Sequence, residues 1–193
     1  GDGANALWLE FAGRTATLHG QLLIYLGDLA AAKSVLGEAL NIGNLLMEKD
    51  PDAVLWQRSI TSKSKVLLGR VSMMEREGAD LLRMVQEARE DSSALADRDP
   101  NDVNAAGNYA TALEYSITAG EQPQDRWMDI IELLSPERRR LSPEALTSLA
   151  RAYAAVGDTG AARVITARLQ AAGYRHPDFI RLLADYPTLV DVK

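Results

Sequence analysis

The sequence predicts an all-α fold: an α-α superhelix of about four antiparallel helix pairs, closed by a C-terminal capping helix. Three observations predict it. The composition is rich in Ala and Leu, sparing of β-branched residues and only 6% aromatic, a mixture that favours close-packed helices over a sheet. Amphipathic segments of helical period are punctuated by Gly-Asp and Asp-Pro pairs. Several residue types also recur at one spacing. Asp50-Pro51 and Asp99-Pro100 lie 49 apart (100 minus 51), Gly20 and Gly69 49 (69 minus 20), and Trp8 and Trp56 48 (56 minus 8). A fixed period marks stacked supersecondary units, none of which can bury its apolar face alone.

The elements follow in order. Asn5 to Leu26 reads as the first helix, with Trp8, Phe11, Leu18, Leu22 and Tyr25 as its apolar stripe. Gly27 tolerates the left-handed geometry of a helix end, and Asp28 is suited to cap the next helix. That second helix runs to about Lys49 and turns Leu29, Ala32, Leu36, Ala39, Leu40 and Leu46 inward. Pro51 ends it, because its ring forbids continuation and pushes Asp50 out of helical geometry.

The third helix spans about 52–75, with Trp56, Ile60, Leu67, Val71 and Met74 on one face. The fourth spans about 78–97 with Leu81, Leu82, Val85, Ala88 and Leu95, and Asp99-Pro100 stops it. The fifth covers about 102–119 with Tyr109, Leu113 and Ile117. After the loop Gly120-Glu121-Gln122-Pro123 comes a shorter sixth helix, 126–134. Ser135-Pro136 and Ser142-Pro143 each place Pro where a helix begins. Helices over 143–156 and 159–172 flank Gly157-Asp158, and a last short helix covers about 177–185. The whole reads as one domain, 1–193, in units 2–50, 51–99, 100–141 and 142–173 with a cap over 174–193. Its opening Gly1-Asp2-Gly3 reads as the edge of a piece of a longer protein.

Composition also narrows the chemistry. The net charge is −6, whereas a dedicated nucleic-acid binder carries a basic excess; no nucleic-acid partner is expected. Cys is absent and only His19 and His176 are present, so thiol catalysis and a Cys- or multi-His metal site fall away. No apolar run approaches the roughly 18 residues that span a bilayer. The expectation is a soluble cytoplasmic or periplasmic domain that binds no metal or cofactor.

Isolated residues read as structural before functional. His19 is expected to be packed or capping, and His176 to serve the turn before Pro177. Glu87, Glu90 and Asp91 read as a solvated helix face. The run Arg138-Arg139-Arg140 reads as a helix-end or linker patch. Trp8 and Trp56, which keep the period, read as core between repeats; Trp127 falls outside that register.

Residues near the C-terminus carry a family resemblance. Leu146, Leu149, Ala150, Tyr153, Gly157, Asp158 and Ala162 follow the order of large, Leu, small, Tyr, turn Gly and small residues typical of tetratricopeptide repeats, helix-turn-helix units of roughly 34 residues. The N-terminal unit resembles the family through Gly20, Gly27, Asp28, Ala32 and Ala39, and departs from it at His19 and Leu23. The longer period, with DPDAVLW (50–56) and the degenerate DPNDVNA (99–105), is similar to a long-helix variant common in bacterial proteins. The second unit has Arg76 where the turn Gly is usual.

The resemblance implies a scaffold without catalysis, binding a protein or peptide along the first helices of the pairs. Carried across, the groove positions are Arg14, Thr17, Gln21 and Tyr25, then Lys63, Arg70 and Met74, then Thr147 and Arg151. Their basic lean implies an acidic partner. A second implication is a ligand-sensing regulatory domain attached to an output domain such as a kinase, cyclase or transcription regulator.

Overall fold

The computed structural model describes residues 2–75, 78–120 and 122–190, and side chains over 5–75, 83–120 and 122–190. Arg76 and the side chains of Leu81 and Leu82 lie outside that set. Every regular element among the described residues is helical. They form two compact units, Gly1–Asp99 and Pro100–Lys193.

In the first unit, α1 (Asp2–Leu26) and α2 (Leu29–Lys49) are joined by a tight turn and pack along their length. A continuous helical backbone follows: α3 (Val54–Trp56), a π-helical turn (Gln57–Ser62) and α4 (Lys63–Glu75). It packs on α2 and pairs with α5 (Gly78–Arg98). The second unit holds α6 (Val103–Thr118), α7 (Trp127–Leu134), α8 (Pro143–Ala155), α9 (Thr159–Ala171) and α10 (Pro177–Asp185). Here α8 is central, touching α6, α7, α9 and α10.

The helix boundaries have local causes. Gly27 and Gly157 take positive φ, 79° and 88°, and each closes the same turn. Asp28 N–H donates to Leu23 O at 3.0 Å and Gly27 N–H to Ile24 O at 3.1 Å; Asp158 donates to Tyr153 O at 2.9 Å and Gly157 to Ala154 O at 3.1 Å. This pair of bonds satisfies carbonyls that a helix end leaves open. The next helix then starts on the Asp side chain, which accepts from Ala31 N–H at 3.1 Å or Ala161 N–H at 2.9 Å. Asp102 and Ser142 cap α6 and α8 in the same way. Asp158→Ala should therefore lower stability by about 1 kcal/mol; a urea midpoint unchanged from wild type would refute the capping role.

The expected apolar sets of α2, α5, α6, α8 and α9 face inward. Ala32, Leu36, Ala39, Leu46, Val85, Ala88, Leu95, Leu113, Ile117, Leu146, Leu149 and Ala162 are all buried. Several expectations need correction. The stripe predicted to be the inner face of α1 lies outside: Trp8, Phe11, Leu18, Leu22 and Tyr25 are exposed, and the helix buries Gly13, Thr17, Gly20 and Ile24 instead. Small residues let α1 approach its neighbours closely, and the bulky ones are left on the far side. A Cβ on Gly13 would meet Ile42 and Ile60 at 3.0 Å, and one on Gly20 would meet Leu36 at 2.5 Å. Second, Trp8 is not core, and Trp56 is only half-buried, its indole N–H donating to Glu10 Oε2 at 3.0 Å. Third, His19 is exposed. Fourth, Pro136 opens a turn over 136–140 and no helix, and the helical segment predicted from 52 begins at Val54, because Asp50-Pro51-Asp52 is spent on the turn. Met74 is also outside the buried face of α4.

Candidate functional site

In each unit, consecutive first helices stand side by side and are fastened by a hydroxyl pair. In the first unit Thr17 on α1 donates to Gly13 O at 2.9 Å and shares a 3.1 Å hydrogen bond with Ser64 on α4. In the second, Thr111 on α6 donates to Gly107 O at 2.9 Å and meets Ser148 on α8 at 3.3 Å. Both bonds follow one local recipe. A Gly one turn back leaves its carbonyl and its surface open, so the Thr hydroxyl can fold onto the backbone and present its other lone pair to the next helix. Thr17, Ser64 and Thr111 are spaced by 47 (64 minus 17; 111 minus 64), and Ser148 follows after 37 (148 minus 111). That hydroxyl series was available in the sequence; the Trp and Pro periodicity masks it.

The second unit adds a buried ionic cluster that sequence reasoning missed. Arg151 on α8 is nearly enclosed. Its Nε lies 2.8 Å from Glu114 Oε1 on α6, its Nη1 donates to Asp185 Oδ2 on α10 at 2.6 Å, and its Nη2 donates to Asp178 O at 3.3 Å. The guanidinium thus joins α8 to α10 with two directed donors and to α6 through the ion pair with Glu114. Beside it Tyr115 O–H donates to Asp178 Oδ2 at 3.2 Å. Burial pushes the Glu114 carboxyl above its ordinary value, and the attraction of Arg151 only partly offsets this. Burial opposes the Arg151 charge too, but Glu114 and Asp185 outweigh it and hold the guanidinium firmly protonated.

These contacts decide where the predicted groove residues stand. Thr17, Arg70, Thr147 and Arg151 are buried. Thr17 and Arg151 make the inter-helix contacts above, and Thr147 donates to Pro143 O at 2.9 Å. The side chains of Thr17 and Arg151 point between helices, because in a close-packed wall the mid-face position belongs to the neighbouring helix. Arg14, Tyr25 and Met74 are exposed, and Gln21 and Lys63 half-exposed. Arg14 pairs with Glu10 at 3.3 Å. Arg14, Gln21 and Tyr25 fall within one stripe of α1, at spacings of seven and four. The α1 and α4 positions belong to the first unit, and Thr147 and Arg151 to the second.

Comparison with protein families, curated proteins and solved structures gives no match. The site therefore rests on its own geometry.

The remaining candidates are structural. His176 caps α10, its Nδ1 accepting from Asp178 N–H at 3.2 Å while its ring stacks on Tyr174 at 5.7 Å. Glu87 pairs with Arg83 at 3.1 Å, and Asp91 accepts from Lys65 at 2.5 Å. Arg138, Arg139 and Arg140 are exposed, with Arg140 on Glu137 at 3.0 Å. Trp127 is core in the second unit, its indole N–H on Gln124 Oε1 at 3.0 Å. Among the described residues no three His, Cys, Asp or Glu side chains gather as a metal site, and no helix is long and apolar enough to cross a membrane.

Proposed function

We propose that this chain is a protein-interaction module of tetratricopeptide type, in which the helix pairs follow one another as a superhelix and a peptide or protein partner lies along the first helices. One observation carries the reading. Consecutive first helices stand shoulder to shoulder in both units, joined by equivalent hydroxyl pairs, Thr17 with Ser64 and Thr111 with Ser148. Walls of this kind present long surfaces at little energetic cost, because each repeat is held by its neighbours.

The accessible positions on the first unit's wall are Arg14, Gln21, Tyr25, Lys63 and Met74. Two cations, an amide, a phenol and a thioether suit an extended acidic segment with occasional apolar anchors. Charge would set its capture rate and register, and Tyr25 and Met74 would supply the contact area. The module performs no catalysis in this reading. Lys63→Glu tests it without touching the buried residues of the wall. On an array of acidic peptides, wild type should retain a subset, and the variant should bind that subset about tenfold more weakly at low salt. Equal binding by the two proteins, or no retention by wild type, would remove the basis for this groove.

A further inference from the structure

The exposed stripe of α1 is a complete coiled-coil seam. Trp8, Phe11, Thr15, Leu18, Leu22 and Tyr25 alternate spacings of three and four through the helix. That is the strict a/d repeat by which one helix packs against another. Among the described residues of the first unit nothing covers it: Trp8 is 72% exposed, Phe11 67%, Leu18 62% and Leu22 59%. Leu7 and Leu26 flank it at 67% and 80%. Together these side chains leave on the order of 700–800 Å² open, more than the largest apolar patch of a typical monomer and close to one side of a standard interface.

We propose that α1 is a dimerisation helix and that its partner is α1 of a second copy, lying antiparallel. The seam is self-complementary under a two-fold axis crossing α1 between residues 16 and 17. Under that axis Trp8 faces Tyr25, Phe11 faces Leu22 and Thr15 faces Leu18, so each position meets a seam position and the largest ring meets the least exposed one. A two-fold interface requires this self-matching of one patch. The charges agree with it. No seam position is charged, Arg14 of each copy falls beside Gln21 of the other, and His19 falls opposite Ala12, so like charges never meet across the axis. An unrelated partner would need no such internal symmetry.

The test uses the 193-residue chain. Sedimentation equilibrium should give a dimer at about 10 µM. Leu18→Glu, which places a charge at the centre of the seam, should weaken dimerisation at least about 100-fold. Because Leu18 is exposed in the single chain, the variant should keep wild-type helicity, and its thermal midpoint should match that of wild type diluted until it is monomeric. The chain has no cysteine, so orientation can be read by cross-linking. An equimolar mixture of Trp8→Cys and Tyr25→Cys chains should form a disulfide dimer, whereas Trp8→Cys alone should not, its two thiols being about 25 Å apart along antiparallel helices. A monomer at about 100 µM would overturn the proposal and assign the seam to another segment or protein. So would a dimer indifferent to Leu18→Glu, or Trp8→Cys chains that cross-link among themselves. A dimer through α1 would cover Tyr25 and crowd Arg14 and Gln21, leaving Lys63 and Met74 on α4 as the groove positions open to a partner; Lys63→Glu reads those α4 positions and Leu18→Glu the seam, so the two failures are distinguishable.

Discussion

Arg151→Met is expected to destabilise the second unit by about 3–5 kcal/mol at neutral pH. The substitution keeps most of the apolar stem but removes the cation that Glu114 faces at 2.8 Å and Asp185 at 2.6 Å. Glu114 is then a buried carboxylate with no counter-charge. Asp185 is nearly half exposed, so water compensates it, and most of the loss is assigned to Glu114. The sign with pH follows from burial. In the folded wild type Glu114 is already raised above its ordinary 4.5, and without Arg151 it rises further. A raised acid contributes its full stability below the unfolded value and loses it as pH climbs through the folded value. The deficit of Arg151→Met should thus be largest at the alkaline end of the pH range and shrink toward its acid end, as Glu114 takes up a proton. Adding Glu114→Gln should recover most of the loss at high pH and little at low pH. Guanidinium unfolding across that range measures both, and a deficit independent of pH would show that the lost packing of the side chain, and not its charge, is responsible.

Gly20→Ala is expected to cost about 1–2 kcal/mol, against the general preference for Ala inside a helix. A Cβ at residue 20 would lie 2.5 Å from Leu36 Cγ and 2.6 Å from its Cδ2. Leu36 is wholly buried in the core shared by Ile24, Ala32, Leu67, Leu68 and Val71, so its branch point cannot swing aside and α1 must back away from α2. Gly37 supplies the control, since a Cβ there would meet nothing within 4 Å. Gly37→Ala should stabilise by about 0.5–1 kcal/mol through the unfolded state and helix propensity. Opposite signs in urea unfolding would separate close approach from propensity. If both substitutions stabilise, α1 and α2 are less tightly joined than the geometry states.

These two sites also show why reading the chain succeeds in some places and fails in others. Asp28, Asp102, Ser142 and Asp158 act on N–H groups two or three residues away, so the caps and turns can be read locally. The inner face of α2 can be read as well, because its apolar residues are both large and buried. On α1 the same rule fails. Periodicity detects an apolar stripe but not what covers it, and the burying face of α1 is marked by Gly13, Thr17, Gly20 and Ile24, where a size-weighted reading sees little. The groove positions fail for a related reason: Thr17 and Arg151 are polar residues whose partners, Ser64 and Glu114, lie 47 and 37 residues away.

The sequence by itself determined that the chain is helical, where most of its helices start and stop, and that they come in successive pairs, because capping, proline geometry and apolar period act within one or two turns. Only the tertiary structure decided which side of α1 is inside, which polar residues are sealed between helices, and that a long apolar seam on α1 is left facing water. Those outcomes depend on how closely two backbones approach. A missing Cβ at Gly13 or Gly20 sets that distance only together with the side chain it meets on another helix.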